Sequence, residues 1–449
     1  MPVPLLTDSD PGRPLIYRES GVVSVGEFMG AVRHLAMTLP PSGALVNLCE
    51  HRDAFLIGWC AALLRGRTNL LPASRAPQVV EEVLAQYPGS FRCDDESVAR
   101  AMAQSGPLAD PRGLSPAIPE RMQAAIAFTS GSTGKPRPHV KRWGNFLASS
   151  TLNATRIRDC LAPRHGLARP SIVATVPPQH MYGTETSVLL PLLAGMAVHA
   201  GRPLFPADVA RALDDVPEPR ILVTTPVHLR ALVGSGERFP AIAVVLSATA
   251  PLDAELAVSV ERELGTMMLE MFGSTETCVI ATRRTAQEPA WWLYPGVRLR
   301  AGEDSAEVSA AWFDAPTTLQ DMIEVLPDHR FIVRGRNTDM IEVAGKRSSA
   351  ADLTRRLLAV PGVQDAVVFQ PDPAGDAAVR RVAAVVVAPG LAAESISEQL
   401  SRAVDPAFLP RPLVLVSALP RNDVGKIERE ALAKLVAEFR AAGAGSRSR

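Results

Sequence analysis

The segment Phe128-Thr129-Ser130-Gly131-Ser132-Thr133-Gly134-Lys135-Pro136 gathers hydroxyls, glycines and a lysine into one short stretch. It follows the apolar run Ala124-Ala125-Ile126-Ala127, which reads as a buried strand; the Gly/Ser/Thr run then reads as a mobile loop leaving that strand. Glycines let the backbone approach a ligand closely. The hydroxyls, Lys135 and a row of backbone N–H groups supply donors, and that chemistry suits a polyphosphate. The spacing departs from the ordinary phosphate loop, which needs four residues between its first glycine and the Gly-Lys pair, then Ser or Thr. Here only Ser132 and Thr133 separate Gly131 from Gly134-Lys135, and Pro136 follows.

Three further segments carry comparable chemistry: Phe272-Gly273-Ser274-Thr275-Glu276; Gly335-Arg336, continuing through Asp339-Met340-Ile341 to Gly345; and Pro420 to Gly425-Lys426. Together with Thr129–Gly134 and Pro136 they resemble, in order, four motifs of the adenylate-forming superfamily: T-S-G-S/T-T-G-x-P-K, Y/F-G-x-T-E, G-R-x-x-D-x-I-x-x-x-G and P-x-x-x-x-G-K. That superfamily holds acyl- and aryl-CoA synthetases, peptide-synthetase adenylation domains and luciferases. The resemblance runs over roughly residues 20–437. Arg137 stands where the first motif ends in lysine, and Pro138 replaces a common glycine, removing one N–H.

The resemblance implies a ligase that uses ATP and Mg²⁺. A carboxylate attacks the α-phosphate to give an acyl-adenylate and pyrophosphate; the thiol of coenzyme A, or of the phosphopantetheine of an acyl carrier protein, then displaces AMP. The first step joins two anions, so positive charge and oriented dipoles must lower their repulsion and hold them in line. By the same resemblance Thr129, Ser130, Gly131, Ser132, Thr133, Gly134 and Lys135 hold the β- and γ-phosphates. Phe272 stacks on adenine, Gly273 and Ser274 carry the chain past it, and Thr275 bonds a phosphate. Glu276 helps hold Mg²⁺, which takes carboxylate and phosphate oxygens together. Asp321 lies fifteen positions before Arg336, the family spacing for the ribose-binding aspartate, although Leu319-Gln320 replace the usual preceding pair. Arg336 contacts ribose or phosphate, and Lys426 neutralises charge as the acyl–phosphate bond forms. Thr338 falls at the hinge, where Asp or Lys is usual, and Gly345 lines the thiol's approach. Ser247-Ala248-Thr249-Ala250-Pro251 reads either as the small-residue turn beneath adenine, with Thr249 and Ala250 in contact, or as an ordinary strand-to-helix turn.

Pro177-Pro178-Gln179-His180-Met181-Tyr182-Gly183 falls where the family places a His or aromatic at the acid pocket. His180 either gates that pocket or is a hydrogen-bonded core histidine. The Phe-Asp pair of amino-acid-activating domains is absent, which disfavours an amino acid. The short segment 285–320, containing Trp291-Trp292, resembles compact ligases of aryl-polyene or xanthomonadin-type pigment clusters and implies an aromatic, hydroxybenzoate-like acid, with fatty or 3-hydroxy-fatty acids as rivals. The departures at Pro138, Gln320 and Thr338 motivate a different class, a non-catalytic relative that binds nucleotide or a carrier protein.

The elements that must position these residues alternate. Ser24-Val25-Gly26-Glu27 is a capping box opening a helix to about Leu39, where Pro40 stops it. Ala44–Leu48, Ser171–Val176, Ile221–Thr225 and Ala243–Leu246 read as strands; 184–194, 206–214 and 253–264 read as helices, and 93–120 as a loop or edge region. The pattern predicts an α/β chain with a buried, largely parallel sheet. After Gly335-Arg336 a smaller α/β unit is expected, with strands at Val363–Phe369, Val382–Val387 and Leu413–Val416 and helices near 350–359 and 392–404. The expectation is a large multi-sheet N-terminal domain over 1–336 and a small mobile C-terminal domain over 337–449.

A chain of 449 residues suits two or three domains. Lys+Arg and Asp+Glu both number 47, so no bulk field favours nucleic acid or an anionic membrane. Five scattered cysteines suggest neither a metal cluster nor a disulfide framework and point to a reduced, cytoplasmic setting. The longest apolar run, Ala54–Leu64, fits a buried helix better than a membrane span, with Cys60 a core residue. No secretory leader is evident at Met1–Asp10, and the small, basic tail 441–449 reads as disordered.

Overall fold

The structure is a computed structural model that describes residues 2–7, 10–72, 75–108, 110, 113–130, 136–302, 305–336, 340–343, 346–371, 381–422, 425 and 427–445. For 130, 136, 336, 340, 342–343, 346–349, 429 and 440–445 the backbone alone is described. Contacts divide the chain into two units, Met1–Val297 with Ser309–Ala315, and Arg298–Val308 with Pro316–Arg449.

In the first unit, parallel strands Met267–Ser274, Val244–Ser247, Arg220–Thr224, Ser171–Ala174, Ala197–His199 and Pro14–Arg18 lie side by side in that order. Their interior residues form continuous apolar runs such as Ile221-Leu222-Val223 and Val244-Val245-Leu246, all fully buried, as a sheet covered on both faces requires. Helices Pro206–Asp214, Pro226–Val233 and Ala254–Leu264 contribute Val209, Leu213, Leu229 and Val260 to one core with Val173, Leu222, Val245 and Met268. A second sheet holds Phe91–Cys93, Leu45–Asn47, Asn69–Leu71, Gln123–Ser130 and Pro136–Arg142 in that order. Its last two strands form an antiparallel pair, so the Phe128-Thr129-Ser130 stretch expected in a loop continues the strand instead; the β-branched and aromatic residues favour that state.

The capping box at Ser24 and Glu27 is present and starts the helix Val25–Thr38. The helix expected at 184–194 starts earlier, at Met181, and contains a π-helical stretch Glu185–Leu189. Such stretches are rare and occur often at functional sites. A Cβ at Gly183 would lie 2.0 Å from the Pro177 carbonyl oxygen, so only glycine lets this helix rest on the preceding segment. Arg52, at the head of the buried helix Arg52–Leu64, donates to the carbonyls of Ala174 (3.2 Å), Val176 (2.8 Å), His199 (3.2 Å) and Gly201 (2.6 Å) and to Ser187 Oγ (3.0 Å). It thereby holds the main chain that leads into His180. The expectation of loop or edge structure for 93–120 is corrected: Asp95–Gln104 is a helix capped by Asp94. Its apolar stripe is narrow, with only Val98 and Ala101 buried, and so is weak in the sequence.

In the second unit, strands Asp365–Phe369, Ala383–Val387 and Leu413–Leu415 form a small sheet. Helices Ala350–Leu358 and Ala393–Ser401 pack Leu353, Leu357, Ile396 and Leu400 against Val368 and Val386 on one side. On the other, Leu432 and Val436 of Arg429–Gly445 cover Val385 and Val414. That helix extends through residue 445, so the disorder expected from 441 is corrected for 441–445; alanines there carry high helix propensity. Residues 446–449 lie outside the described set. Among the described residues no helix is long and apolar enough to cross a membrane, and the cysteines are free thiols.

Candidate active site

The antiparallel strand Pro136–Arg142 follows the glycine-rich segment in the sequence and presents Arg137, His139 and Lys141 on one face, because side chains alternate along a strand. Arg137 is exposed, His139 half-buried and Lys141 buried, so a row of bases runs from solvent into the fold. Thr129, opposite Arg137 in register, places Oγ1 2.9 Å from His139 Nε2. The same nitrogen lies 3.4 Å from Glu276 Oε1, and Lys141 Nζ donates to the Glu276 carbonyl. Two motifs far apart in the sequence therefore meet across strand Pro136–Arg142. Burial opposes ionisation of Glu276, but its own N–H, the Ser274 hydroxyl and the charges of His139 and Lys141 outweigh it. The carboxyl is held below the usual range and is ionised at neutral pH. Burial lowers His139 below the ordinary histidine value; the charges of Lys141 and Arg137 add to this, and Glu276 opposes it.

The turn that carries Thr275 and Glu276 joins Met267–Ser274 to Cys278–Arg283. A bulge interrupts the pairing at Phe272/Gly273. A Cβ on Gly273 would sit 2.1 Å from the Cys278 carbonyl oxygen, so the motif's glycine is required by close approach of the two strands. Ser274 N–H donates to Thr277 Oγ1 at 3.0 Å, closing the turn, and Cys278 has the left-handed φ of 63°. Phe272, half-buried, packs on Trp291. Ser247 ends its strand, and Thr249 follows at φ 78°, a strained conformation for a β-branched residue. His180 is half-buried at the head of helix Met181–Thr184 and makes no side-chain cap bond there.

In the second unit Asp321 and Arg336 are Cα partners across the hairpin of Asp321–Leu326 with Arg330–Arg336. The fifteen-residue spacing noted in the sequence is the length of this hairpin. Arg421 grips Asp365 with both Nη2–O distances at 2.8 Å and donates from Nη1 to the Gly425 carbonyl at 2.8 Å. Gly425 has φ 77°, and Arg421 bridges to Ile427. Both flanks of position 426 are thus anchored. Gly131, Ser132, Thr133, Gly134, Lys135, Thr338, Gly345 and Lys426 lie outside the described residues, as does the side chain of Arg336.

Sequence reasoning missed His139, Lys141, Glu185, Glu270 and Arg421. The first two were within reach, since alternate bases after a strand turn share the face of Thr129. Glu185 is buried at 1% exposure; its carboxyl accepts from Ser149 Oγ, from Asn153 Nδ2 at 3.4 Å and from Val279 N–H at 3.2 and 3.1 Å. Tyr294 O–H donates to Asn153 Oδ1 at 2.8 Å. Those partners are scattered along the chain and leave no local trace. Among the described residues no cluster of three or more His, Cys, Asp or Glu could hold a metal. Glu276 as a lone ionised carboxylate fits Mg²⁺ that is carried mainly by phosphates.

Comparison with known proteins gives the same picture. Residues 30–301 match the family model described as AMP-binding enzyme. A 4-coumarate–CoA ligase of Rhodobacter capsulatus is 32% identical over 241 residues, 54% of this chain and 59% of that protein. One of Halorhodospira halophila is 26% identical over 67% of this chain and 74% of its own length. The chain thus spans less than two thirds of the first of these relatives. Among solved structures, ATP-bound MatB from Rhodopseudomonas palustris superposes with TM-score 0.79 at 18% identity, covering 95% of this chain and 96% of that one. O-succinylbenzoate coenzyme A synthetase from Bacillus subtilis, with ATP and magnesium ion, gives 0.78 at 18% identity over 96% and 99%. The fold is that of these enzymes: a large multi-sheet α/β domain followed by a small α/β one.

Proposed function

This chain belongs to the family of AMP-binding enzymes, and we propose that it is an ATP-dependent acid–thiol ligase activating an aromatic, hydroxybenzoate-like carboxylic acid. The observation that carries the reading is the meeting of Thr129 and Glu276 at His139, which joins the strand entering the phosphate-type loop to the T-E turn. The 4-coumarate–CoA ligases among the relatives favour an aromatic acid and coenzyme A as acceptor. A carrier protein's phosphopantetheine presents the same thiol.

In the first step a carboxylate oxygen attacks the α-phosphorus and the bond to pyrophosphate breaks. Thr129, Ser130, Gly131, Ser132, Thr133, Gly134 and Lys135 cradle the β- and γ-phosphates, and Thr275 adds a hydroxyl. Magnesium, when bound, spreads the phosphate charge, and Glu276 is the residue that holds it. Phe272 carries the adenine, with Thr249 and Ala250 beneath; Asp321 accepts from the ribose hydroxyls beside Arg336. Lys426 brings its ammonium between carboxylate and phosphate, which lowers the cost of joining two anions. In the second step the thiol sulfur attacks the acyl carbon, the acyl–phosphate bond breaks, AMP leaves and the thiol proton passes to solvent. The C-terminal domain from 337 turns about Thr338 between the steps, withdrawing Lys426 and bringing Gly345 to the pantetheine arm. His180 borders the acid.

The test is pyrophosphate release with Mg·ATP across hydroxybenzoates, cinnamates, fatty acids and amino acids, with hydroxylamine trapping the adenylate. Release with aromatic acids is expected, reduced about 10²–10³-fold in Lys426→Ala, the scale of losing one preorganised electrostatic contact. Silence across the panel with ATP binding intact would favour a non-catalytic nucleotide-binding relative, and release only with fatty acids would replace the aromatic reading.

A further inference from the structure

The turn bearing Thr275 and Glu276 is gripped from its buried side by two residues that have no place in the chemistry above. Lys141, 5% exposed, donates its ammonium to the Glu276 carbonyl from the strand leaving the phosphate-type loop. Glu185, 1% exposed, receives the Val279 N–H on its carboxyl from the π-helical stretch just beyond His180. Between these two points lies Cys278, 3% exposed and left-handed at φ 63°, a backbone conformation unfavourable for a residue with a Cβ. A turn held in that conformation needs its main chain tied on both sides, and Lys141 and Glu185 are those ties. Glu185 is itself fixed by Ser149 and Asn153 of the long helix Trp143–His165, and Asn153 by Tyr294.

Resting on the ligase reading above, we propose that Lys141 and Glu185 are positioning residues that clamp the Glu276–Val279 turn, setting the Glu276 carboxylate where it meets the nucleotide's phosphates and metal. Neither touches the reacting atoms. Lys141 links the turn to the strand of the phosphate-type loop; Glu185 links it to the segment of His180. The clamp therefore holds the turn's main chain from two separate elements, the Glu276 carbonyl on one side and the Val279 N–H on the other. A buried ammonium on a carbonyl and a buried carboxyl on an amide are costly to leave unpaired, so each fixes its partner's position firmly.

The experiment uses the full-length protein and the variants Lys141→Met, Glu185→Leu and Glu185→Gln. Its first readout is Mg·ATP affinity by calorimetry, together with KM for Mg·ATP and for the acid in pyrophosphate release. The second is the alkylation rate of Cys278 by iodoacetamide, mapped by peptide mass spectrometry, with the fully buried Cys60 as internal reference. Lys141→Met and Glu185→Leu are expected to weaken Mg·ATP at least tenfold, to leave the acid KM within about threefold, and to speed Cys278 labelling more than tenfold relative to Cys60. Glu185→Gln keeps an acceptor for Val279 N–H and recovers most of the affinity lost in the leucine variant. Unchanged Mg·ATP affinity in Lys141→Met, or Cys278 labelling no faster than that of Cys60, overturns the clamp. If Lys141→Met does not fold, the leucine–glutamine pair at Glu185 decides the same question. Wild-type protein that binds Mg·ATP yet releases no pyrophosphate with any acid overturns the ligase reading alone, since affinity and labelling still judge the clamp.

Discussion

Phe272 lies against Trp291, ring centroids 5.2 Å apart and planes inclined by 51°. The Arg283 guanidinium carbon is 4.4 Å from the Trp291 ring centroid. The aromatic assigned to adenine is thus backed by a buried indole that carries a cation, and its orientation is set from behind. Trp291→Ala is expected to cost about 3–5 kcal/mol of stability, as large aromatic truncations in a core do. Trp291→Phe should keep most of it. Urea unfolding measures the stability, and the tryptophan fluorescence change on adding ATP reports the contact. An ATP-induced change that survives undiminished in Trp291→Phe would detach Trp291 from the nucleotide platform.

Glu270 accepts from Arg283 Nε at 2.7 Å, Thr285 Oγ1 at 2.5 Å and Leu252 N–H at 3.1 Å, and is buried. It therefore anchors Arg283 beneath Trp291 and the segment that follows Thr249 at once. Glu270→Ala strands a guanidinium that is mostly buried, a change worth about 3–5 kcal/mol. Glu270→Gln keeps acceptors and should lose less. Equal midpoints for the alanine and glutamine variants in urea would mean that a neutral acceptor does nothing for this anchor, and a glutamine midpoint equal to wild type would mean that the charge is irrelevant to it.

The parts of this site that were legible in the sequence are those whose geometry is local or periodic. Asp321 and Arg336 could be matched by counting because a hairpin turns a fixed spacing into a fixed register. The Ser24–Glu27 box marks its helix because both capping bonds fall within one turn. Glu185 could not be found that way: its partners Ser149, Asn153 and Val279 are joined to it only by the tertiary fold. Trp291 stood out as an aromatic in a short segment, but which face Phe272 offers it depends on the bulge at Gly273. Helix Asp95–Gln104 escaped because its stripe of two buried side chains is too narrow to set a period.

Arg421 is expected to control Lys426 without touching substrate. Its guanidinium joins Asp365 to the Gly425 carbonyl, and Gly425 is held left-handed. Arg421→Ala should leave Mg·ATP affinity nearly constant while lowering the rate of adenylate formation about tenfold or more, the penalty of misplacing a catalytic group by a small distance. Asp365→Asn should act in the same direction with a smaller effect. Single-turnover formation of the hydroxamate separates rate from binding. A variant impaired in affinity and not in rate would place Arg421 in the nucleotide site instead.

Glu185 makes the stability of the first unit depend on pH in a direction that can be stated. Burial pushes its carboxyl above the usual value; bonds from Ser149, Val279 and Asn153 and the charge of Lys141 oppose this but do not cancel it. The native state therefore holds the proton at pH values where the unfolded chain has released it. The stabilising linkage is full below the unfolded carboxylate value, about 4.3, and is lost as pH rises through the native one. Glu185→Gln keeps an uncharged acceptor and has no proton to lose, so it should gain on wild type as pH rises from the unfolded carboxylate value through the raised native one. Because every other titrating group is common to both proteins, the difference between their urea unfolding free energies isolates this residue. Curves that stay parallel across that range, or a wild type that gains at the alkaline end, would mean that Glu185 is ionised in the folded protein and that Lys141 pairs with it as a charge.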